Sequence, residues 1–325
     1  MGLGWTIAFV MSLFAAWHFF LILRLKKHWS LLWQYDAEDG GEQTLEPREV
    51  GRLALPINGE LDREVAVYLG DFLRRTQVAY RSKGEKPFPV RTGTTVVKEI
   101  RLSGEVACSI VKSEQSLVVG FRGSTTAENW ATNLDFALDP IATTSSEPFE
   151  LRTTTTSFSG SDGHREDYPM VHGGYDDWYA RMGGAVREAV IEQKDTTAIY
   201  LTGHSMGGAI AALCMFDLID RNLVGPDKLC AVTFGSPRVG NETFAKILKN
   251  AALYQIHNTA DIVPSAPFSS SPSLCGKSTI FHYVHAGQGL LFHENGNSLM
   301  GAHGLGTSQR VLEDKNRSLT SFREF

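Results

Sequence analysis

Residues 198–213 read Ala-Ile-Tyr-Leu-Thr-Gly-His-Ser-Met-Gly-Gly-Ala-Ile-Ala-Ala-Leu: an apolar run, a serine between glycines, then an alanine-rich run. Ile, Tyr, Leu and Thr in succession have the make-up of a buried strand, and the alanines that follow suit a helix. A strand, a sharp turn and a helix are therefore predicted here, with Ser205 at the apex of the turn. Only flanking glycines tolerate such a turn, so Gly203 and Gly207 relieve the crowding while the serine hydroxyl points into the open. The helix behind it presents a positive N-terminal end, which favours a developing negative charge nearby. Gly-x-Ser-x-Gly alone is a weak signal in a chain with 31 glycines. The strand before it and the helix after it make it specific, against the plainer alternative of a glycine-rich corner with an idle serine.

A serine hydroxyl is too weak an acid to attack an ester unaided. It requires a histidine to take its proton and a carboxylate to orient that histidine. In serine-turn hydrolases the carboxylate and then the histidine follow the serine in the chain, at the C-terminal ends of strands. The strand predicted at 253–257 runs into Asn-Thr-Ala-Asp-Ile-Val-Pro at 258–264, which offers Asp261. The position just past a strand is where open α/β sheets carry ligand-facing groups. A last β segment is predicted within 280–292, with His282 and His285 inside it as structural residues. The base must sit on a loop within reach of the serine, which leaves His293 at the end of that segment and His303 near a terminal helix.

Upstream, Leu61, Val65, Leu69, Phe72 and Leu73 fall at helical spacing up to about Tyr80. Three strands follow at about 94–101, 106–112 and 116–121, close enough in sequence to be antiparallel hairpins. Beyond Phe121-Arg122-Gly123-Ser124, residues Trp130, Leu134 and Leu138 share one face of a short helix, suited equally to a lid over an apolar pocket or to packing on the sheet. The Ser/Thr-rich stretch within 141–168 reads as a surface insertion. A helix then carries Trp178, Met182, Val186 and Val190, the serine turn and a helix at 209–221 follow, and a strand at 229–234 leads into a short helix. Strands alternating with helices predict an α/β fold, a mostly parallel sheet with helices on both faces.

At the N-terminus, the 19 residues Trp5 to Leu23 carry no charged side chain apart from His18, and as a helix would span about 28 Å, close to a bilayer's hydrocarbon thickness. Residues 1–28 are expected to be a transmembrane anchor and 29–59 a linker, with 60–325 as the folded domain. Arg24, Lys26 and Lys27 follow the apolar run, which places that domain on the cytoplasmic side by the positive-inside rule. A cleaved signal peptide, which would make the protein secreted or lumenal, and a buried core helix are the alternatives. Asn241 and Asn316 stand in N-glycosylation patterns, which would also reverse the cytoplasmic placement. A net charge of −5 gives a nucleic-acid partner no electrostatic support. Cys108, Cys214, Cys230 and Cys275 show no metal-ligand spacing and read as free thiols. No metal, cofactor or obligate protein partner is expected.

From about Leu61 onward the chain resembles the fungal-type class 3 lipases of the α/β-hydrolase superfamily. Five stretches carry the likeness: Phe-Arg-Gly-Ser at 121–124 with Glu-Asn-Trp and Asn-Leu-Asp-Phe behind it, Val-His-Gly-Gly-Tyr at 171–175, Thr-Gly-His-Ser-Met-Gly-Gly-Ala at 202–209, Phe-Gly-Ser-Pro-Arg-Val-Gly-Asn at 234–241, and Asn-Thr-Ala-Asp-Ile-Val-Pro at 258–264. The resemblance implies Ser205 as nucleophile, Asp261 as orienting acid and His303 as base. It also implies Ser124 and Met206 as oxyanion donors, and a lid that includes Trp130 and Leu134. The family's last histidine often has an aromatic residue three positions on, where this chain has Gly306. The implied activity is hydrolysis of lipid esters at a membrane or lipid-droplet surface, with triacylglycerol lipase, phospholipase A1 and galactolipase as variants. The alternative from another class is an inactive hydrolase-fold protein that binds lipid or a protein partner.

Overall fold

Along the central strands, successive side chains alternate between two apolar layers, so the strands must lie in a sheet covered on both faces. The computed structural model describes residues 55–56, 60–81, 94–113, 115–123, 138–141, 168–193, 195–272, 280–295 and 299–324. Its helices are α1 (Arg63–Arg81), α2 (Gly173–Glu192), α3 (Met206–Asp220), α4 (Glu242–Ile247), α5 (Leu299–His303) and α6 (Leu305–Glu313). Its strands are β1 (Thr94–Leu102), β2 (Glu105–Ser113), β3 (Ser116–Phe121), β4 (Leu138–Pro140), β5 (Met170–His172), β6 (Ala198–His204), β7 (Leu229–Phe234), β8 (Ala252–Asn258), β9 (Ser270–Pro272), β10 (Ile280–His282), β11 (Gln288–Phe292) and β12 (Thr320–Phe322).

Eight of these strands form one sheet in the order β1-β2-β3-β6-β7-β8-β11-β12. The first three are antiparallel neighbours, β3 through β11 run parallel, and β12 closes the far edge antiparallel. Ile199 and Leu201 of β6 and Ala231 of β7 face the layer of α2 and α3, while Tyr200, Cys230, Val232 and Phe234 face the layer of α1 and α6. The α3 helix is buried on nearly every side, and its alanines let it lie close to the sheet. Asp217 on α3 is fully buried, yet its carboxylate accepts from Tyr179 Oη at 2.7 Å, Arg187 at 2.7 Å and Arg221 at 2.6 Å. A buried charge is tolerated only when paired in this way, and the cluster ties α2 to α3.

Three features differ from the expectation. Leu138, expected on a helix face with Trp130 and Leu134, instead opens strand β4 and is buried, its backbone being paired with His172 of β5. The single β segment predicted within 280–292 is split: β10 pairs with β9 outside the main sheet, and β11 alone joins β8. Between them Gly287 has φ +80, and a Cβ there would lie 2.4 Å from the Leu253 carbonyl oxygen, so the chain can turn at that point only without a side chain. Strand β12 was not foreseen, because Thr320, Ser321 and Phe322 are all exposed and show no apolar alternation. The predicted anchor (1–28), nearly all of the linker (29–59), the helix bearing Trp130 and Leu134, most of the insertion and Cys275 lie outside the described residues. Among the described residues no helix is long and apolar enough to cross a membrane. Cys108, Cys214 and Cys230 are free and buried.

Candidate active site

The serine turn is built by backbone. Strand β6 ends at His204 and α3 begins at Met206, leaving Ser205 between them with φ 57 and ψ −131. A positive φ at a non-glycine residue costs about 1–3 kcal/mol and persists only where the surroundings enforce it. Here they do. Ser205 N–H donates to the Phe234 carbonyl at 2.9 Å, extending the β6–β7 ladder, and the Ser205 carbonyl accepts from Gly208 N–H at 2.9 Å. A Cβ on Gly203 would lie 2.1 Å from the Gly207 carbonyl carbon, and one on Gly207 would lie 2.3 Å from the Phe121 carbonyl oxygen. Strand, turn and helix thus approach more closely than any side chain would permit. Met206 opens α3, at the positive end of that helix. Gly123 passes close to the turn, where a Cβ would lie 2.8 Å from the His204 carbonyl oxygen and 3.5 Å from Ser205 Cβ. Ser124, the next residue, and Trp130 and Leu134 lie outside the described residues.

Asp261 sits three residues beyond the end of β8 and is buried. Its Oδ1 accepts from Val263 N–H at 2.9 Å, and its Oδ2 accepts from His303 Nδ1 at 2.7 Å. A carboxylate can only accept, so the ring proton of neutral His303 resides on Nδ1 and the lone pair on Nε2. That Nε2 is buried and has no hydrogen-bond partner. Gly235, just past β7, stands beside the pair with φ +55, and a Cβ there would lie 3.1 Å from Asp261 Oδ2 and from His303 Nδ1.

Of the two histidines the sequence left open, only His303 meets Asp261. His293 is exposed and its Nδ1 lies 2.7 Å from Thr259 Oγ1. His285, expected to be structural, bonds Gln255 Oε1 at 3.0 Å and the Pro264 carbonyl at 2.8 Å, with its ring 4.8 Å from that of His257. Two further side chains reach into the site although no sequence signal gives either a role. The His204 ring lies tilted against that of His303 with centroids 4.6 Å apart, and Asn258 lies buried between the turns of Asp261 and His303. Their mark in the sequence is that they stand in the stretches around Ser205 and Asp261 that carry the resemblance, which gives neither a role. Among the described residues no group of three His, Cys, Asp or Glu side chains could hold a metal ion.

The arrangement places a serine in a strained turn at a helix N-terminus, and the residue before it, His204, lies against the imidazole of a buried carboxylate–imidazole pair with a bare Nε2. Residues 118–271 match the family model of the class 3 lipases. Over that stretch the chain is similar to the class 3 lipases. The match contains Ser205 and Asp261, while His303 lies beyond it. The chain is 29% identical over 182 residues to a lipase of Rhizomucor miehei, covering 54% of this chain and 41% of that one. It is 27% identical over 164 residues to the chloroplastic phospholipase A(1) DAD1 of Arabidopsis thaliana, covering 47% and 34%. It therefore spans less than half the length of these relatives. The native Rhizomucor miehei lipase–propeptide complex is similar in fold, with a TM-score of 0.54, 21% identity, and 80% and 81% of the two chains covered.

Proposed function

We propose that the chain is a serine carboxylic-ester hydrolase of lipid esters, with Ser205 as nucleophile, His303 as base and Asp261 as the orienting acid. The observation that carries this reading is the buried 2.7 Å bond from His303 Nδ1 to Asp261 Oδ2, which leaves Nε2 bare. Ser205 Oγ attacks the ester carbonyl carbon while His303 Nε2 takes its proton, and Asp261 stabilises the imidazolium so formed. The oxyanion is held by the N–H of Met206, helped by the positive end of α3, and by Ser124, whose role rests on the resemblance alone. The tetrahedral species collapses as His303 returns the proton to the departing alcohol. Water then repeats the sequence on the acyl-enzyme, with His303 as base again. No step calls for a metal or a cofactor.

The decisive experiment pairs a lipid-ester panel with fluorophosphonate labelling of the purified protein, since only an activated serine reacts with the probe. Ser205→Ala should abolish labelling and lower turnover by roughly 10⁴-fold or more. Undiminished hydrolysis by Ser205→Ala would overturn the assignment. The likeness to the Arabidopsis phospholipase A(1) favours a second reading within the same chemistry, cleavage at a phospholipid sn-1 ester, and the same panel separates it from triacylglycerol cleavage. Residues 5–23 would tether the enzyme at its substrate surface. Release of the intact chain by alkaline carbonate would remove the tether and favour the secreted alternative.

A further inference from the structure

A helix end leaves its last carbonyls without intrahelical partners, and α5 is only five residues long, with His303 as its last residue. Three consecutive carbonyls here are each met by a side chain. The Gly301 oxygen accepts from Thr307 Oγ1 at 2.9 Å, the Ala302 oxygen from Asn258 Nδ2 at 3.0 Å and the His303 oxygen from His204 Nε2 at 2.8 Å. Asn258 does more than that one bond. Its Nδ2 also donates to the Glu294 carbonyl at 2.8 Å, and its Oδ1 accepts from Ala260 N–H at 3.2 Å and Glu294 N–H at 3.0 Å. A primary amide has two donors and two acceptor lone pairs, so every one is used and the side chain has a single allowed orientation. One buried amide thus bridges the residue before Asp261, the residue before His303 and the segment after β11. His204, immediately before Ser205, grips the next carbonyl along. Its pKa is pushed down to about 3, first by burial and then by the neighbouring His303, so it stays a neutral donor.

We propose that Asn258, together with His204, is a positioning residue that fixes the turn carrying His303 relative to both the acid and the nucleophile. The inference rests on the triad reading above. Asn258 acts through the backbone before the His303 Cα, and His204 acts through the carbonyl after it and through the ring that lies against the His303 imidazole. The bare Nε2 of His303 has no bond of its own to hold the ring, so its aim is set by the Asp261 contact, by the His204 ring against it and by the backbone that carries it. A displacement of about 1 Å at a reacting group can lower a rate on the order of 100-fold.

The test uses full-length Asn258→Asp, His204→Phe, His204→Gln and Ser205→Ala, assayed on a soluble short-chain p-nitrophenyl ester. Asn258→Asp keeps the oxygen that accepts from Ala260 and Glu294 but turns a second oxygen on the Ala302 and Glu294 carbonyls. His204→Phe keeps a ring against His303 without the donor, and His204→Gln restores an amide donor. Asn258→Asp is expected to lower kcat by about 30- to 100-fold and His204→Phe by about tenfold, with KM within about twofold. His204→Gln should recover to within about threefold of the wild type. The low-field proton resonance expected of the wild-type His303 Nδ1–H, bonded to Asp261 at 2.7 Å, should broaden in Asn258→Asp. A folded Asn258→Asp protein with wild-type kcat and an unchanged proton signal would overturn the proposal. Should Asn258→Asp fail to fold, the His204 pair decides: equal rates in His204→Phe and His204→Gln, or a loss confined to KM, would overturn it. Ser205→Ala with persistent turnover would instead remove the triad beneath it, so the two failures are distinguishable.

Discussion

The turn at Ser205 and the turn at His303 sit side by side, yet they are held in different ways. Ser205 is fixed by its own strand and helix: a ladder bond to Phe234, a carbonyl bond to Gly208 and glycines at 203 and 207 that let backbone press on backbone. His303 ends a one-turn helix whose carbonyls are met by side chains from residues 204, 258 and 307. A turn held by backbone fails with the fold, because nothing can move without breaking the sheet or the helix. A turn held by borrowed side chains can loosen while the fold stands. The two should therefore respond to substitution in different currencies, stability in one case and rate in the other.

Gly203→Ala is the harshest way to probe the contrast. The added methyl would fall 2.1 Å from the carbonyl of Gly207, a backbone group flanked by β6 and α3 that cannot step aside. A loss of more than about 4 kcal/mol is expected, read as a large drop in the denaturant midpoint or as failure to accumulate soluble protein. A folded Gly203→Ala protein of near wild-type stability would show that the serine turn has slack after all.

That difference in construction also explains what could be read from the sequence. Gly203, Ser205 and Gly207 are contiguous, and a close backbone approach has no other solution than glycine, so the serine turn was legible as letters. The central sheet was legible for a similar reason, since β6, β7 and β8 each alternate between the two apolar layers. His303 was only narrowed to a choice with His293, because what selects it is a hydrogen bond to a residue 42 positions away. Asn258 and His204 were not legible as positioning groups at all, because each role depends on where a distant carbonyl comes to rest. Strand β12 escaped for the opposite reason, an exposed edge strand having no buried face to impose a pattern.

Gly235→Ala tests the boundary between the two turns. Its backbone lies in the left-handed region at φ +55, where a side chain costs about 1–2 kcal/mol, and its methyl would press on Asp261 Oδ2 and the His303 ring from 3.1 Å. A stability loss of that size is expected together with a fall in kcat of about tenfold, because the acid–base pair must shift by a few tenths of an ångström. Equal rates in the variant and the wild type would indicate that the pair tolerates displacement. Thr307→Val is milder. It removes the donor to the Gly301 carbonyl while conserving shape, for about 1–2 kcal/mol and a rate loss of a few-fold, measured by thermal unfolding and by turnover on the same soluble ester.

Acid should loosen the molecule from the base side through histidines that are buried uncharged. The pKa of His257 is held well below its usual value, first by burial and then by His285, Arg238 and His303, and that of His204 is pushed down to about 3. In the unfolded chain both return to about 6.5, so between the folded and unfolded values the unfolded state binds more protons. Their contribution to stability is therefore complete above about pH 6.5 and is lost progressively as pH falls towards the folded values. For buried His257 the loss at pH 5 is up to about 2 kcal/mol, and it is smaller for His204, part of which meets solvent. Ordinary carboxylates, with unfolded values near 4, remain largely ionised at that pH and change little between pH 7.5 and 5. Thermal unfolding should therefore occur at a lower temperature at pH 5 than at pH 7.5, and His257→Asn should narrow the gap whatever its effect on absolute stability. A gap that His257→Asn leaves untouched would move the acid sensitivity away from His257 and its neighbours beneath the His303 turn.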